Sequence, residues 1–213
     1  MPKLKWPILP CIKGLKQEQA HHEVLVVITS ASVDWATKLH DSDPEVQATT
    51  VLFSKNQIYH HQIAHFHYTT YDVRQGQDVV HLNTSHCNIT LLAADDGTVE
   101  EHPHYMYAWV LGIYHTNVVY KGEGSTDYNP HHMEFLWVRW YTHAQFPKSY
   151  QFERLSFPPM TTKGLFDFVD PADILWRCHI VPAFSSGKAH SDGHSLLHSA
   201  VDSNDWKDYY LNQ

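Results

Sequence analysis

Histidine is the residue through which this chain could most readily do chemistry. There are 19 of them in 213 residues, and the tightest groupings are His60, His61, His65 and His67, then His190, His194 and His198. His61 and His65 stand four apart, as do His190 and His194, so on a helix each pair would share a face and could chelate a metal ion. That spacing opens one reading, a metal-dependent hydrolase using clustered histidines. The surroundings argue against it. Gly193 weakens the later helix, neither group carries the Glu of a His-Glu-x-x-His motif, and no paired cysteines stand at finger spacing. Scattered surface histidines are the favoured reading, and no metal ligand or other cofactor is assigned.

Three other groups could carry chemistry. Asp167, Asp170 and Asp173 are spaced by three, as carboxylates converging on a divalent cation can be, but Asp170 and Asp173 already have a role at a helix start, where the dipole favours negative charge. Cys178 and His179 are sequence neighbours, which on a strand point to opposite faces, so a core cysteine is favoured over a thiolate pair. Trp109, Trp137, Trp140 and Tyr141 could line an aromatic pocket for a methylated lysine. Core packing is the commoner fate of aromatics on central strands, yet these four are the candidate binding surface. Gly-x-Ser-x-Gly and phosphate-cradling Gly-rich loops are absent, so no catalytic residue is assigned.

The elements that must position these residues lie between Tyr105 and Phe184. The runs from Tyr107 to His115 and from Met133 to Tyr141 are dense in aromatic and β-branched residues and read as strands. In the second, Phe135, Trp137 and Tyr141 share one face and Leu136, Val138 and Trp140 the other, so the strand is central. The Gly-, Asn- and Pro-containing stretch from Lys121 to Pro130 leaves no room for a crossover helix, so the two strands pair antiparallel. Phe152 to Phe157 and Cys178 to Phe184 are further strands. Asp170-Pro171-Ala172-Asp173 starts a short helix expected to run to Arg177, with Asp170 as cap and Pro171 in the first turn.

Outside this region, residues 1–65 read as a lead-in of mixed helix and strand, with a helix over 11–23 and strands over 24–28 and 49–54. Thr69 to Val73 and Asp78 to Leu82 form a hairpin about a turn at Gln75-Gly76-Gln77. Residues 185–213 are a tail whose Trp206 to Leu211 stretch is expected to dock as a short helix. The domain of interest is 66–184. The fold class is mostly β, or α+β: an incompletely closed antiparallel barrel with short helices.

Three blocks carry a family resemblance: Thr69-Thr70-Tyr71-Asp72-Val73-Arg74 with Gln77-Asp78; Leu111-Gly112-Ile113-Tyr114-His115 through Met133-Glu134-Phe135-Leu136-Trp137-Val138-Arg139-Trp140; and Phe168 through Leu175 with Cys178-His179-Ile180. Together they resemble the carboxy-terminal portion of Plavaka-type fungal transposon proteins, over residues 66–210. The order of strands and the short helix is also similar to a bromo-adjacent homology domain, a β-barrel module of chromatin proteins. The resemblance implies a transposon-derived binding module. Nothing here matches the family's nuclease core, so a fragment without transposase activity is expected.

Composition bounds the partners. A net charge of −8 argues against a chain whose task is to neutralise phosphates, and the only basic stretch is Lys3, Lys5, Lys13 and Lys16. The expected partner is another protein, a chromatin or transposon component, with no direct nucleic-acid or membrane binding. Cys11, Cys87 and Cys178 are too few and too scattered for a disulfide framework. Neither a signal-peptide pattern nor a stretch near the roughly 20 apolar residues of a membrane span is present. An intracellular setting, nuclear or cytoplasmic, is expected.

Overall fold

The two aromatic-rich runs form the long central strands of a curled sheet. The computed structural model of the chain describes residues 51–69, 75–93, 105–121, 128–143, 153–190 and 202–212. In chain order the strands are β1 (Val51–His61), β2 (Ile63–Thr69), β3 (Gln75–His81), β4 (Asn88–Leu92), β5 (Tyr105–Tyr120), β6 (His131–Trp140), β7 (Thr142–His143), β8 (Arg154–Ser156), β9 (Phe166–Val169), β10 (Ile174–Pro182) and β11 (Tyr209–Asn212). Among the described residues the only helical pieces are three-residue 3-10 turns. The fold is therefore mostly β, as expected.

One sheet has the order β7-β8-β11-β10-β4-β5-β6-β9, with β1 added beside β5; β2 and β3 form a separate hairpin. Every strand pairing among the described residues is antiparallel, including β5 with β6. β7 is separated from β6 only by Tyr141, yet it pairs with β8 at the far end of the strand order. The sheet thus curls back toward itself as an incompletely closed barrel.

Strand β5 serves two neighbours along one edge. Its first half pairs with β4, through Leu92↔Tyr105 to Asn88↔Trp109, and its second half with β1, through His61↔Ile113 to Val51↔Tyr120. A bulge between Val110 and Gly112 places an extra residue in β5 opposite β6. Since side chains alternate, that residue swaps the faces of everything after it. Trp109, opposite Arg139, therefore shares a face with Gly112 and Tyr114, opposite Trp137 and Phe135.

Both faces of β6 are buried, as its alternation implies. On the outer face Leu136 and Val138 join Val80, Ile89, Val110, Ile113 and Val169, with Ala64 and Phe66 of the hairpin packed on top. On the inner face Phe135 meets Val118 and Phe168. Inside the curl, Tyr107, Leu155, Cys178, Ile180, Tyr209 and Leu211 come together from four strands. Burying side chains of this size contributes about 1.5–3 kcal/mol each, which offsets the entropy of ordering so many non-local pairings.

Four expectations require correction. The helix from Asp170 to Arg177 is only a 3-10 turn, Pro171–Asp173. Asp170 does cap it, accepting a hydrogen bond from the Ala172 amide at 2.8 Å, but from Ile174 the chain is already the strand β10. Trp206 to Leu211 is not a helix: Trp206 makes an isolated bridge to Lys188, and Tyr209–Asn212 is β11, an integral strand. The hairpin pairs Ile63–Thr69 with Gln75–His81, so Gln75 to Gln77 are strand and the connection is 70–74, outside the described residues. Finally, β1 and β11 extend the sheet on both sides of 66–184. The expected elements at 11–23 and 24–28, the basic lysines and Cys11 lie outside the described residues.

Candidate functional site

The aromatic residues singled out by sequence do not share one surface. Trp109 and Tyr141 gather about Phe157, at ring-centroid distances of 5.9 and 4.2 Å. Tyr141 also donates to Asn88 Oδ1 at 3.1 Å and meets Tyr209 edge-on. Trp137 lies further along the same face against Phe166. Trp140 packs against the core on the opposite face.

What the sequence could not show is the charge among these rings. Arg139 is 2% exposed; its guanidinium lies 3.7 Å from the Phe157 centroid and its Nη2 2.7 Å from Asp205 Oδ2. Its Nε and Nη1 are buried with no hydrogen-bond partner. Burial pushes the Asp205 carboxyl up, and the bond and charge of Arg139 only partly oppose this. Desolvation is the larger effect here, so the pair fixes where the segment after 202 docks more than it adds stability.

The histidines fall into a different arrangement from the helical pairs that their spacing suggests. His61 ends β1 and His65 lies on β2, across the corner at Gln62, and His65 is bonded to Gln77 on β3. His61 instead meets His115 of β5, Nε2 to Nδ1 at 2.5 Å. His115 is the middle of a ring array, with Tyr59 at 4.6 Å, His61 at 4.7 Å and His132 at 4.9 Å. Glu134 Oε1 lies 3.3 Å from His132 Nε2. His61, His115, His132 and Glu134 rim a cleft of about 410 Å³ between the hairpin and the outer sheet face, floored by Ile113 and Leu136. Desolvation, helped by His61 and His132 and opposed by Glu134, holds the His115 pKa below the usual histidine value. As the side chains stand, no group of three or more His, Cys, Asp or Glu among the described residues is arranged to hold a metal ion. His194 and His198 lie outside the described residues.

None of the described histidines is fully buried. A depressed histidine pKa means stability is lost as pH falls below the unfolded value near 6.5, and among the described residues His115 contributes such a loss. The unfolding free energy is therefore expected to vary little between about pH 7.5 and 5.5 on account of histidine. A steep loss in urea unfolding across that window would contradict this.

The aspartates separate in role. Asp170 is a cap, whereas Asp167 on β9 is pushed up to about 6 by burial, against hydrogen bonds from the Phe168 amide and the Trp140 side chain. A carboxyl raised in the folded state binds its proton more tightly there than in the unfolded chain, so stability rises as pH falls from 7 through 6. Asp167→Asn should stabilise the protein on the order of 1 kcal/mol at pH 7.5 and give no gain near pH 4. Equal gains at both pH values would show that charge is not the cause. Cys87 and Cys178 are buried thiols, each pushed up to about 11 by desolvation, and His179 is exposed on the face opposite Cys178.

A second concavity lies at the far end of β1. Leu52, Phe53, Ser54, Val119, Lys121 and Tyr128 line an open, mainly apolar groove of about 610 Å³. Leu52 is 43% exposed and Tyr128 61%. Among the described residues β5 is the only strand paired with β1, so the outer edge of β1 has no strand beside it there. Beyond Ser54 that edge is broken by a bulge with Lys55 at φ 57°. No helix among the described residues is long and apolar enough to cross a membrane. No family model, no curated protein and no solved structure matches the chain.

Proposed function

We propose that the chain is a non-catalytic protein-binding module, and that its partner adds an extended segment at the groove beside β1. The observation that carries this reading is the coincidence of an apolar groove with an edge of β1, at residues 51–54, that has no strand beside it among the described residues. Backbone groups on such an edge give affinity by strand addition, and side chains of the incoming segment enter the groove at every second residue. The resemblance to the carboxy-terminal region of Plavaka-type transposon proteins supports a transposon-derived origin, a fragment without transposase activity, and a chromatin or transposon component as partner in the nucleus or cytoplasm. The order of its strands supports a barrel of the bromo-adjacent homology kind. The charge of −8 supports a protein rather than a nucleic acid as ligand.

Selection of a displayed peptide library against the full chain tests this. The expected winners alternate apolar and polar residues, and Leu52→Glu should weaken them at least about tenfold, since a buried charge replaces an apolar contact. Winners without alternation, or binding indifferent to Leu52→Glu, would contradict the proposal.

A further inference from the structure

We infer that the imidazoles of His61, His115 and His132, with the Glu134 carboxylate, form a binding site for a divalent transition-metal ion on the outer face of the sheet. The register places all four on one face of three adjacent strands: Tyr59↔His115↔Glu134 is one row, His61 pairs with Ile113, and His132 pairs with Asn117. One donor spacing already matches what a metal needs. A tetrahedron of ~2.05 Å bonds has edges of about 3.3 Å, and His132 Nε2 and Glu134 Oε1 already lie 3.3 Å apart. His132 Nδ1 is 3.3 Å from Asn117 Oδ1, so donating there would orient the ring and leave Nε2 with its lone pair free.

His61 Nε2 and His115 Nδ1, at 2.5 Å, are closer than two ligands of one ion can be. These rings would have to part by about 1 Å, within the reach of small χ rotations on side chains that are not packed in the core. The donor atoms have not converged, but the backbone register does not need to change. Three nitrogens and one carboxylate oxygen suit zinc, cobalt, nickel or copper rather than magnesium or calcium. The site is separate from the β1 groove and does not depend on the partner-binding proposal.

Titration of the full chain with Co²⁺ and Zn²⁺ at pH 7.5 tests the inference, following calorimetric heat and the visible spectrum of Co²⁺. One equivalent should bind with a tetrahedral Co²⁺ spectrum. His61→Gln and His132→Gln, both at exposed positions, should each weaken it by at least about tenfold, judged on variants whose thermal unfolding matches the parent. His179→Ala, and joint alanine replacement of His190, His194 and His198, should leave it unchanged. Absence of a stoichiometric site would overturn the inference. So would binding indifferent to both glutamine variants, or binding abolished by the alanine replacements.

Discussion

Arg139→Met should cost about 3–5 kcal/mol of stability, because it strips the partner from a carboxylate that is almost wholly removed from water. Asp205 is 3% exposed, and Asp202 beside it is fully buried and adds repulsion. Asp205→Leu should be comparably damaging, since it takes the ion-pair partner from a guanidinium already lacking partners at Nε and Nη1. The double variant Arg139→Met with Asp205→Leu should lie much closer to the parent, because two apolar side chains of similar bulk incur neither desolvation cost. Urea unfolding of the four proteins forms the double-mutant cycle. Additive losses would mean that the two side chains act independently and that the ion pair does not hold the segment after 202 in place.

Gly112→Ala should destabilise by about 1–3 kcal/mol, the usual cost of overpacking a filled interior. A methyl group there would lie 2.3 Å from Tyr114 Cε2 and 2.6 Å from its hydroxyl oxygen. Tyr114 cannot easily swing away: its ring is stacked on Phe135 at 5.4 Å and lies 5.0 Å from His60. Gly112 thus leaves the space into which Tyr114 folds back just after the bulge that reverses the faces of β5. If this is the cause, Tyr114→Leu should recover much of the loss in the Gly112→Ala background. A loss that persists undiminished in the double variant would place the strain in the backbone of the bulge instead.

The central strands were legible because their pattern is local. Aromatic and β-branched density marked β5 and β6, the Gly- and Pro-containing connection implied antiparallel pairing, and period-two alternation placed Phe135 and Trp137 opposite Leu136 and Val138. The Asp170-Pro171 start was also legible, but it caps a 3-10 turn as readily as an α-helix. The stretch from Ile174 to Arg177 is recruited into β10 by pairing with β4, which no local signal announces. Trp206 to Leu211 is too short for its periodicity to separate strand from helix. The histidine array was hidden for a related reason: His61, His115 and His132 are neighbours only through sheet register, whereas sequence spacing offered His61 with His65. Arg139 reads as an ordinary polar residue in an aromatic strand until Asp205, far along the chain, arrives beside it.

The most direct test of a partner strand beside β1 is amide hydrogen exchange on the full chain, with and without a saturating peptide from the library selection. Strand addition satisfies free backbone groups on the edge it joins, so new protection should centre on residues 51–54, with 119–121 and Tyr128 shielded beside them. Trp176 and its surroundings on β10 should be unaffected. Protection confined to other strands, with 51–54 exchanging as fast as in the free protein, would contradict the account.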